Sequence, residues 1–139
     1  MRLVLDTNVL VQALRTAHGP ANTIVGLALV QSFTCIVDER MMEEYEDVLG
    51  RSRFDFHRSD VAHLLRKLRQ VADIVAAAPL PGGTKGFPDP DDVMFLEVAV
   101  SSRAEALITT NLRHFPEPRR HGITVVTPIE FVQRHVRVG

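Results

Sequence analysis

Residues 1–10 read MRLVLDTNVL, an apolar run that ends on an acid and two small polar residues. The run RLVL predicts a buried β-strand, and a helical pattern begins directly after it, near Asn8. Asp6 stands at this junction, where a carboxylate beside buried backbone is costly unless a cap, a hydrogen-bond network or a cation compensates it. An N-cap is the plainest role for Asp6, although Thr7 or Asn8 would cap the helix equally well. The stretch therefore predicts a strand, a helix and a candidate functional acid between them.

The alternation of strand and helix continues along the chain. Three further aliphatic runs predict strands, namely TCIV at 34–37, ALIT at 106–109 and ITVV at 123–126. Helical patterns lie near 8–17, 21–31, 38–49, 59–72, 91–100 and from 128 onward. Strands separated by helices imply parallel pairing through right-handed crossovers. We therefore expect one domain over residues 1–139, a three-layer α/β/α sandwich around a central, mainly parallel sheet of four to five strands.

The composition is typical of a globular domain and not of a membrane protein. The 139 residues, 45% of them hydrophobic, are enough for one domain with a real core. The apolar stretches are too short to cross a bilayer, no secretory leader is visible, and the single cysteine, Cys35, is expected to be a buried small side chain. We expect a cytoplasmic protein without membrane contact. The formal net charge of −1 gives no global attraction to nucleic acid, so such binding would depend on local basic clusters.

Polar side chains stand where two of the predicted strands end. Asp6 follows RLVL, Thr109 closes ALIT, and Asn111 lies two residues beyond it. Binding sites in open parallel sheets form beyond the carboxyl ends of the strands. We therefore expect these three residues to border one site.

The helix predicted after the second strand carries four acids in EEYED. Glu44 lies on the edge of the apolar stripe of this helix, three residues after Met41 and four before Val48. Glu43 and Asp47 are expected to point away into water. Glu44 is therefore the acid of this segment that should face the site.

A third group of acids occurs in DPDD, where Asp89, Asp91 and Asp92 crowd one helix start. The helix dipole favours acids there only modestly, and Asp92, which adjoins a nearly all-apolar helix, is best placed to point into a site. Glu97 is the lone charge inside VMFLEVAV and needs a partner or a water-filled site. Converging carboxylates repel one another unless a cation enters, and Mg²⁺ or Mn²⁺ prefers such oxygen ligands. Zinc is disfavoured because no His/Cys cluster has ligand spacing.

Four segments, taken together and in this order, resemble the motifs of the PIN-domain ribonuclease family, specifically the VapC-like toxin components of toxin–antitoxin systems. The segments are VLDTNVL, EEYEDVLGRSRF, DPDDVMFLEVA and LITTNLRHFP, and they span nearly the whole chain. The resemblance implies a metal site of Asp6, Glu44 and Asp92, completed by Asn111, as the catalytic set. Asn111 stands where the family usually carries Asp and supplies no charge, so the number of metal ions stays open. The supporting residues are expected to be Thr7, Asn8, Asp89, Glu97 and Thr109.

The resemblance also implies an activity, the endonucleolytic hydrolysis of RNA with Mg²⁺ or Mn²⁺. Arg113 and His114 follow the fourth motif and are our candidate contacts to the RNA phosphates. The expected partners are an RNA substrate, an antitoxin protein and a second copy of the chain in a homodimer. Because Asn111 weakens the acid set, the alternative is a catalytically weakened PIN-like domain that binds RNA or a protein. Phosphotransferases of the haloacid dehalogenase type are disfavoured, since Asn8 replaces their second acid.

Overall fold

The computed structural model describes residues 1–136, in which strands and helices alternate. The strands are β1 Arg2–Leu5, β2 Thr34–Val37, β3 Asp73–Ile74, β4 Ala106–Ile108 and β5 Val125–Val126. The α-helices are α1 Thr7–Arg15, α2 Pro20–Leu29, α3 Glu39–Leu49, α4 Arg58–Val71, α5 Val93–Ser102 and α6 Pro128–His135. Short 3₁₀ turns occupy Ser52–Phe54, Pro90–Asp92, Leu112–His114 and Glu117–Arg119.

The five strands form one parallel sheet in the order β3-β2-β1-β4-β5, which confirms the predicted α/β/α sandwich. Strand β1 lies at the centre, with Leu3 opposite Cys35 of β2 on one side and Ala106 of β4 on the other. The chain leaves β1 toward β2 and returns to the other side of β1 only with β4. The crevice at the carboxyl ends of β1 and β4 is therefore the topological switch point, where ligands bind in such sheets.

The centre of the sheet is buried because β1 and β2 are apolar after their first residues, Arg2 and Thr34, and β4 is apolar throughout. Helix α5 lies against β1, β2 and β4, and helices α1 to α4 pack on one another. Cys35 is buried as predicted, and burial raises the pKa of its thiol to about 12. The buried Tyr45 hydroxyl donates a hydrogen bond to the Leu5 carbonyl at 2.5 Å. This bond fixes α3 to the last residue of β1, directly before Asp6.

The starts of α3 and α6 agree with the sequence patterns, whereas α1 and α2 end about two residues earlier than predicted and α5 begins about two residues later. Asp38 caps α3 by accepting a hydrogen bond from the Met41 backbone N–H at 2.8 Å, and Thr127 caps α6 in a capping box with Glu130. We expected α4 to begin at a Ser59–Asp60 cap. It begins instead at Arg58, because the Ser59 hydroxyl is engaged with the imidazole Nδ1 of His57 at 2.8 Å.

Two strands differ from the sequence prediction. The run ITVV forms a strand only at Val125–Val126, and β3 was not predicted. Strand β3 consists of two exposed residues at the edge of the sheet, so no apolar pattern marks it. Within residues 1–136, no helix combines the length and the apolar character that crossing a membrane requires.

Candidate metal centre

Asp6 lies directly after β1, where only 3% of its surface is exposed. It occupies the N-cap position of α1, but its side chain makes no capping hydrogen bond. Its Oδ2 instead accepts hydrogen bonds from the Thr109 hydroxyl at 2.8 Å and from the Asn8 amide at 3.1 Å. The geometry therefore excludes the capping role that the sequence left open for Asp6.

The same polar groups join the loop after β4 to the first turn of α1. The Thr109 hydroxyl also accepts a hydrogen bond from the Asn111 backbone N–H at 3.1 Å, and Asn8 Oδ1 accepts one from the Thr110 backbone N–H at 3.0 Å. The Asp6 backbone N–H donates to the Ile108 carbonyl at 2.9 Å. These bonds hold the predicted residues Asp6, Asn8, Thr109 and Asn111 together at the switch point.

Thr7 is the other supporting residue predicted in the first motif. Its hydroxyl is buried, and among the described residues it is the one buried side-chain polar atom without a hydrogen-bond partner. Its backbone N–H stabilises the ionised form of Asp6. The contribution of Thr7 to the site therefore comes from its main chain.

A second set of ligand atoms lies on the turn before α5 and in the loop after β4. One ligand atom from each of Asp89, Asp92 and His114 lies within 4.8 Å of the others. Asp92 Oδ2 and His114 Nδ1 are 2.5 Å apart, which is hydrogen-bond distance. The sequence predicted a phosphate contact for His114 and gave no sign of this pairing. The imidazole Nδ1 of His114 is therefore engaged with the Asp92 carboxylate, and these side chains together could hold a cation.

The electrostatics connect the two groups of acids. Burial, followed by the negative charge of Asp92, raises the pKa of Asp6 to about 7, against the opposing effect of the Thr109 hydrogen bond. Burial also raises the pKa of Asp92, while the hydrogen bond from His114 opposes the rise. Acids from the first and third motifs therefore act on one another across one site. Asp6 is a buried acid whose ionised form is disfavoured, and further carboxylate oxygens lie near it. This set of oxygen atoms fits a hard divalent cation.

Glu44 borders this site from α3. It is half-buried, and burial is the main cause of its raised pKa, to which the charges of Asp91 and Asp92 contribute. It lines an open cleft of about 540 Å³, together with Asp91. Glu43 and Asp47 are exposed to water as expected, and they also line this open cleft. The cleft beside Glu44 is consequently strongly acidic.

Glu97, the lone charge of α5, has a charged partner and also lines the open cleft beside Glu44. Its carboxylate accepts a hydrogen bond from Arg40 Nη1 at 2.8 Å, and Arg40 Nε donates to Asp38 Oδ2 at 2.8 Å. Sequence reasoning missed Arg40. The available signal was its position in the first turn of α3, where a cation opposes the helix dipole and so needs acidic neighbours.

Comparison with known proteins adds family evidence to this geometry. A family model described as the PIN domain matches residues 2–113. Among solved structures, a chain of the crystal structure of VapBC2 from Rickettsia felis bound to a DNA fragment from their promoter aligns with a TM-score of 0.64 at 14% identity. The alignment covers 91% of this chain and 98% of that chain. None of the curated proteins matches this chain. The family match contains Asp6, Glu44, Asp92 and Asn111.

Proposed function

Because this chain belongs to the PIN-domain family, we propose that it is an Mg²⁺- or Mn²⁺-dependent endoribonuclease that hydrolyses RNA phosphodiester bonds. One observation carries the proposal. The buried Asp6, with its pKa raised to about 7, lies within electrostatic reach of Asp92 at the switch point of the sheet. The hydrogen bonds from Thr109 and Asn8 offset this burial only in part, because the pKa of Asp6 stays raised, and this supports a cation as the further compensating group.

Each residue of the site has a distinct proposed role. Asp6 and Asp92 would hold the cation, with Glu44 and Asn111 completing the set from α3 and from the loop after β4. A divalent cation supplies a water ligand of lowered pKa and neutralises charge that develops on the scissile phosphate. Thr109 and Asn8 keep the Asp6 carboxylate in one orientation, and His114 does the same for Asp92.

The charge distribution indicates the side from which RNA would approach. The cleft beside Glu44 is lined by further acids, which repel a phosphate backbone. Arg113 does not line this cleft and is exposed in the 3₁₀ turn that carries His114. We propose that the RNA backbone lies along this turn, where Arg113 contacts a phosphate.

The metal site has a direct thermal test. At about one hundred times its dissociation constant, Mn²⁺ is expected to raise the melting temperature of the wild type by about 8 °C, because it binds only the folded state. Asp92→Ala should abolish this shift. Asp91→Ala, which removes a charge from the same turn, should retain it. Differential scanning fluorimetry across an Mn²⁺ titration measures both, and an undiminished shift in Asp92→Ala would place the ion elsewhere.

We further propose that the chain is the toxin of a toxin–antitoxin pair, that it binds an antitoxin protein, and that it forms a homodimer. The support is the likeness in fold to a chain of the VapBC2 complex, together with the family match. Induced expression of the wild type in a bacterial host should then arrest growth. Expression of the site variant Asp6→Asn at the same protein level should not, and equal growth of both cultures would argue against the toxin role.

A second candidate function is a catalytically weakened domain that binds RNA or a protein, and Asn111 is the observation that favours it. The Asn111 backbone N–H donates to the same Thr109 hydroxyl that holds Asp6, so residue 111 lies beside the site and is an uncharged amide there.

Asn111→Asp separates the two functions. If cleavage is limited by weak metal binding, the added carboxylate should lower the Mn²⁺ concentration for half-maximal cleavage about tenfold. Gln70→Glu, which adds the same charge on the exposed face of α4, should leave it unchanged. A wild type and an Asn111→Asp variant that both bind RNA without cutting it would favour the binding module.

A further inference from the structure

The side chain of Arg119 is enclosed by backbone carbonyls of the loop before α5. Its guanidinium donates hydrogen bonds to the carbonyl oxygens of Pro81 at 3.0 Å, Gly83 at 3.1 Å and Lys85. An arginine side chain is suited to this role because its N–H donors are held in a rigid planar fork. One side chain thus satisfies three carbonyls of a segment that has no regular secondary structure.

The loop is shaped around the guanidinium group of Arg119. Gly82 has a φ of +81°, and a Cβ atom there would lie 3.1 Å from Arg119 Nη2. Gly86, with a φ of +86°, also faces the Arg119 side chain. The guanidinium carbon lies 4.9 Å from the ring centre of Phe87, a cation–π contact. Gly82 and Gly86 are therefore explained by the close approach of Arg119 as well as by their backbone angles.

Arg119 is the main tie between the middle of this loop and the rest of the protein. The ends of the loop are anchored by the buried side chains of Leu80 and Phe87. Its internal hydrogen bonds are local turns, such as Lys85 N–H to the Gly82 carbonyl at 3.2 Å. Without the guanidinium, three carbonyls between the two anchors lose their partner and the turns lose their support.

The loop leads directly to the candidate metal centre. Two residues after Phe87 the chain reaches Asp89, and three further on Asp92. Gly83 and Thr84 themselves line the cleft that Glu44 borders. Arg119, for its part, follows His114 by five residues in the other loop of the site. The Arg119 contacts therefore join the two segments that bear the ligand atoms of Asp89, Asp92 and His114.

We propose that Arg119 is a positioning residue for the metal centre: by fixing the loop at 81–87 against the segment after β4, it sets Asp89 and Asp92 at the distances a cation needs. This inference rests on the proposed metal-dependent function. Arg119 itself does not contact the cation.

The glycines supply a matched experiment. Gly82→Ala drives a Cβ against Arg119, whereas Gly122→Ala imposes the same backbone strain at a φ of +81° with nothing within 4 Å of the new Cβ. Arg119→Gln removes the guanidinium directly. Two readouts apply to all three purified variants: the rate of tryptic cleavage after Lys85, followed by mass spectrometry, and the Mn²⁺ concentration that gives half of the thermal shift.

Gly82→Ala and Arg119→Gln are expected to be cut after Lys85 faster than the wild type and to need about tenfold more Mn²⁺ for the half-maximal shift. Gly122→Ala should match the wild type in the rate of tryptic cleavage and in the Mn²⁺ midpoint. Its metal-free melting temperature should nevertheless be lowered, as that of Gly82→Ala is. A residue of purely structural importance would lower the metal-free melting temperature without moving the Mn²⁺ midpoint.

The outcomes distinguish a failure of the positioning role of Arg119 from a failure of the proposed metal site. If the wild type responds to Mn²⁺ and both loop variants respond at the same concentration, the positioning role is overturned and the metal site stands. If Gly122→Ala behaves like Gly82→Ala, backbone strain and not Arg119 is responsible, and the inference also fails. A wild type without any Mn²⁺ shift would overturn the metal site together with the inference.

Discussion

Replacing Asp6 with Asn is expected to lower the rate of RNA cleavage by about 10³-fold or more, which corresponds to about 4 kcal/mol of lost transition-state stabilisation. The reason is that Asn keeps the shape and the hydrogen bonds of the side chain but supplies no charge to hold the cation. Cleavage of a labelled single-stranded RNA with Mn²⁺ measures the effect. Equal activity of the two proteins after careful purification would refute the catalytic proposal.

Asp6→Asn should lower the cleavage rate but raise the stability of the metal-free protein. Without metal, the wild type buries a carboxylate whose pKa is raised mainly by burial, so removing the charge should raise the melting temperature at pH 8. Asp38→Asn is the matched control, because Asp38 is also buried at the end of a neighbouring strand. Its charge is compensated by Arg40 and the α3 cap, so this variant should be less stable than the wild type and still respond to Mn²⁺.

The metal-free protein is expected to lose stability as the pH rises from mildly acidic to mildly basic conditions. The pKa of Asp6 is about 7 in the folded protein and 3.8 ordinarily, so the folded state binds this proton more tightly than the unfolded chain does. The stability that Asp6 contributes to the folded state is therefore fully present at pH values below its ordinary pKa of 3.8 and is lost as the pH rises through about 7. Between about pH 5 and about pH 8 it amounts to about 3 kcal/mol. The raised pKa of Asp92 acts in the same direction.

Urea unfolding at a series of pH values, without metal, measures this dependence. The difference between the wild type and Asp6→Asn isolates the Asp6 contribution, because all other titrating groups are shared. Saturating Mn²⁺ should remove most of the loss at high pH, since the cation binds the ionised carboxylates. A wild-type stability that follows that of Asp6→Asn at every pH would show that Asp6 ionises normally.

Most of the fold could be predicted from the sequence because burial of each element leaves its own periodic signal. The runs RLVL and TCIV became β1 and β2 as predicted, and α3 ends at Leu49, directly before Gly50. Strand β3 left no signal, because its two exposed residues pair only where β2 offers an unpaired edge. Its existence depends on the neighbouring strand and not on its own composition.

The site was predictable only in part, for the same physical reason. That Asp6 and Thr109 would meet follows from the rule that the carboxyl ends of parallel strands share an edge, and their hydrogen bond agrees with it. The pairing of His114 with Asp92, and the salt bridge of Arg40 with Glu97, join segments whose separation in space no pattern encodes. Such contacts depend on the path of irregular loops. The catalytic, metal-binding and RNA-binding roles predicted for the site residues, those of Asp6 and Asp92 included, remain predictions.

The hydrogen bond between Asp6 and Thr109 joins residues 103 positions apart, so Asp6 meets this partner only after the whole segment up to β4 has been made. During synthesis, β1 leaves the ribosome long before β4 exists to complete the crevice. A nascent chain that does not yet contain β4 would therefore lack the crevice on which the proposed activity depends, so the order of synthesis itself keeps the site incomplete until β4 has joined β1.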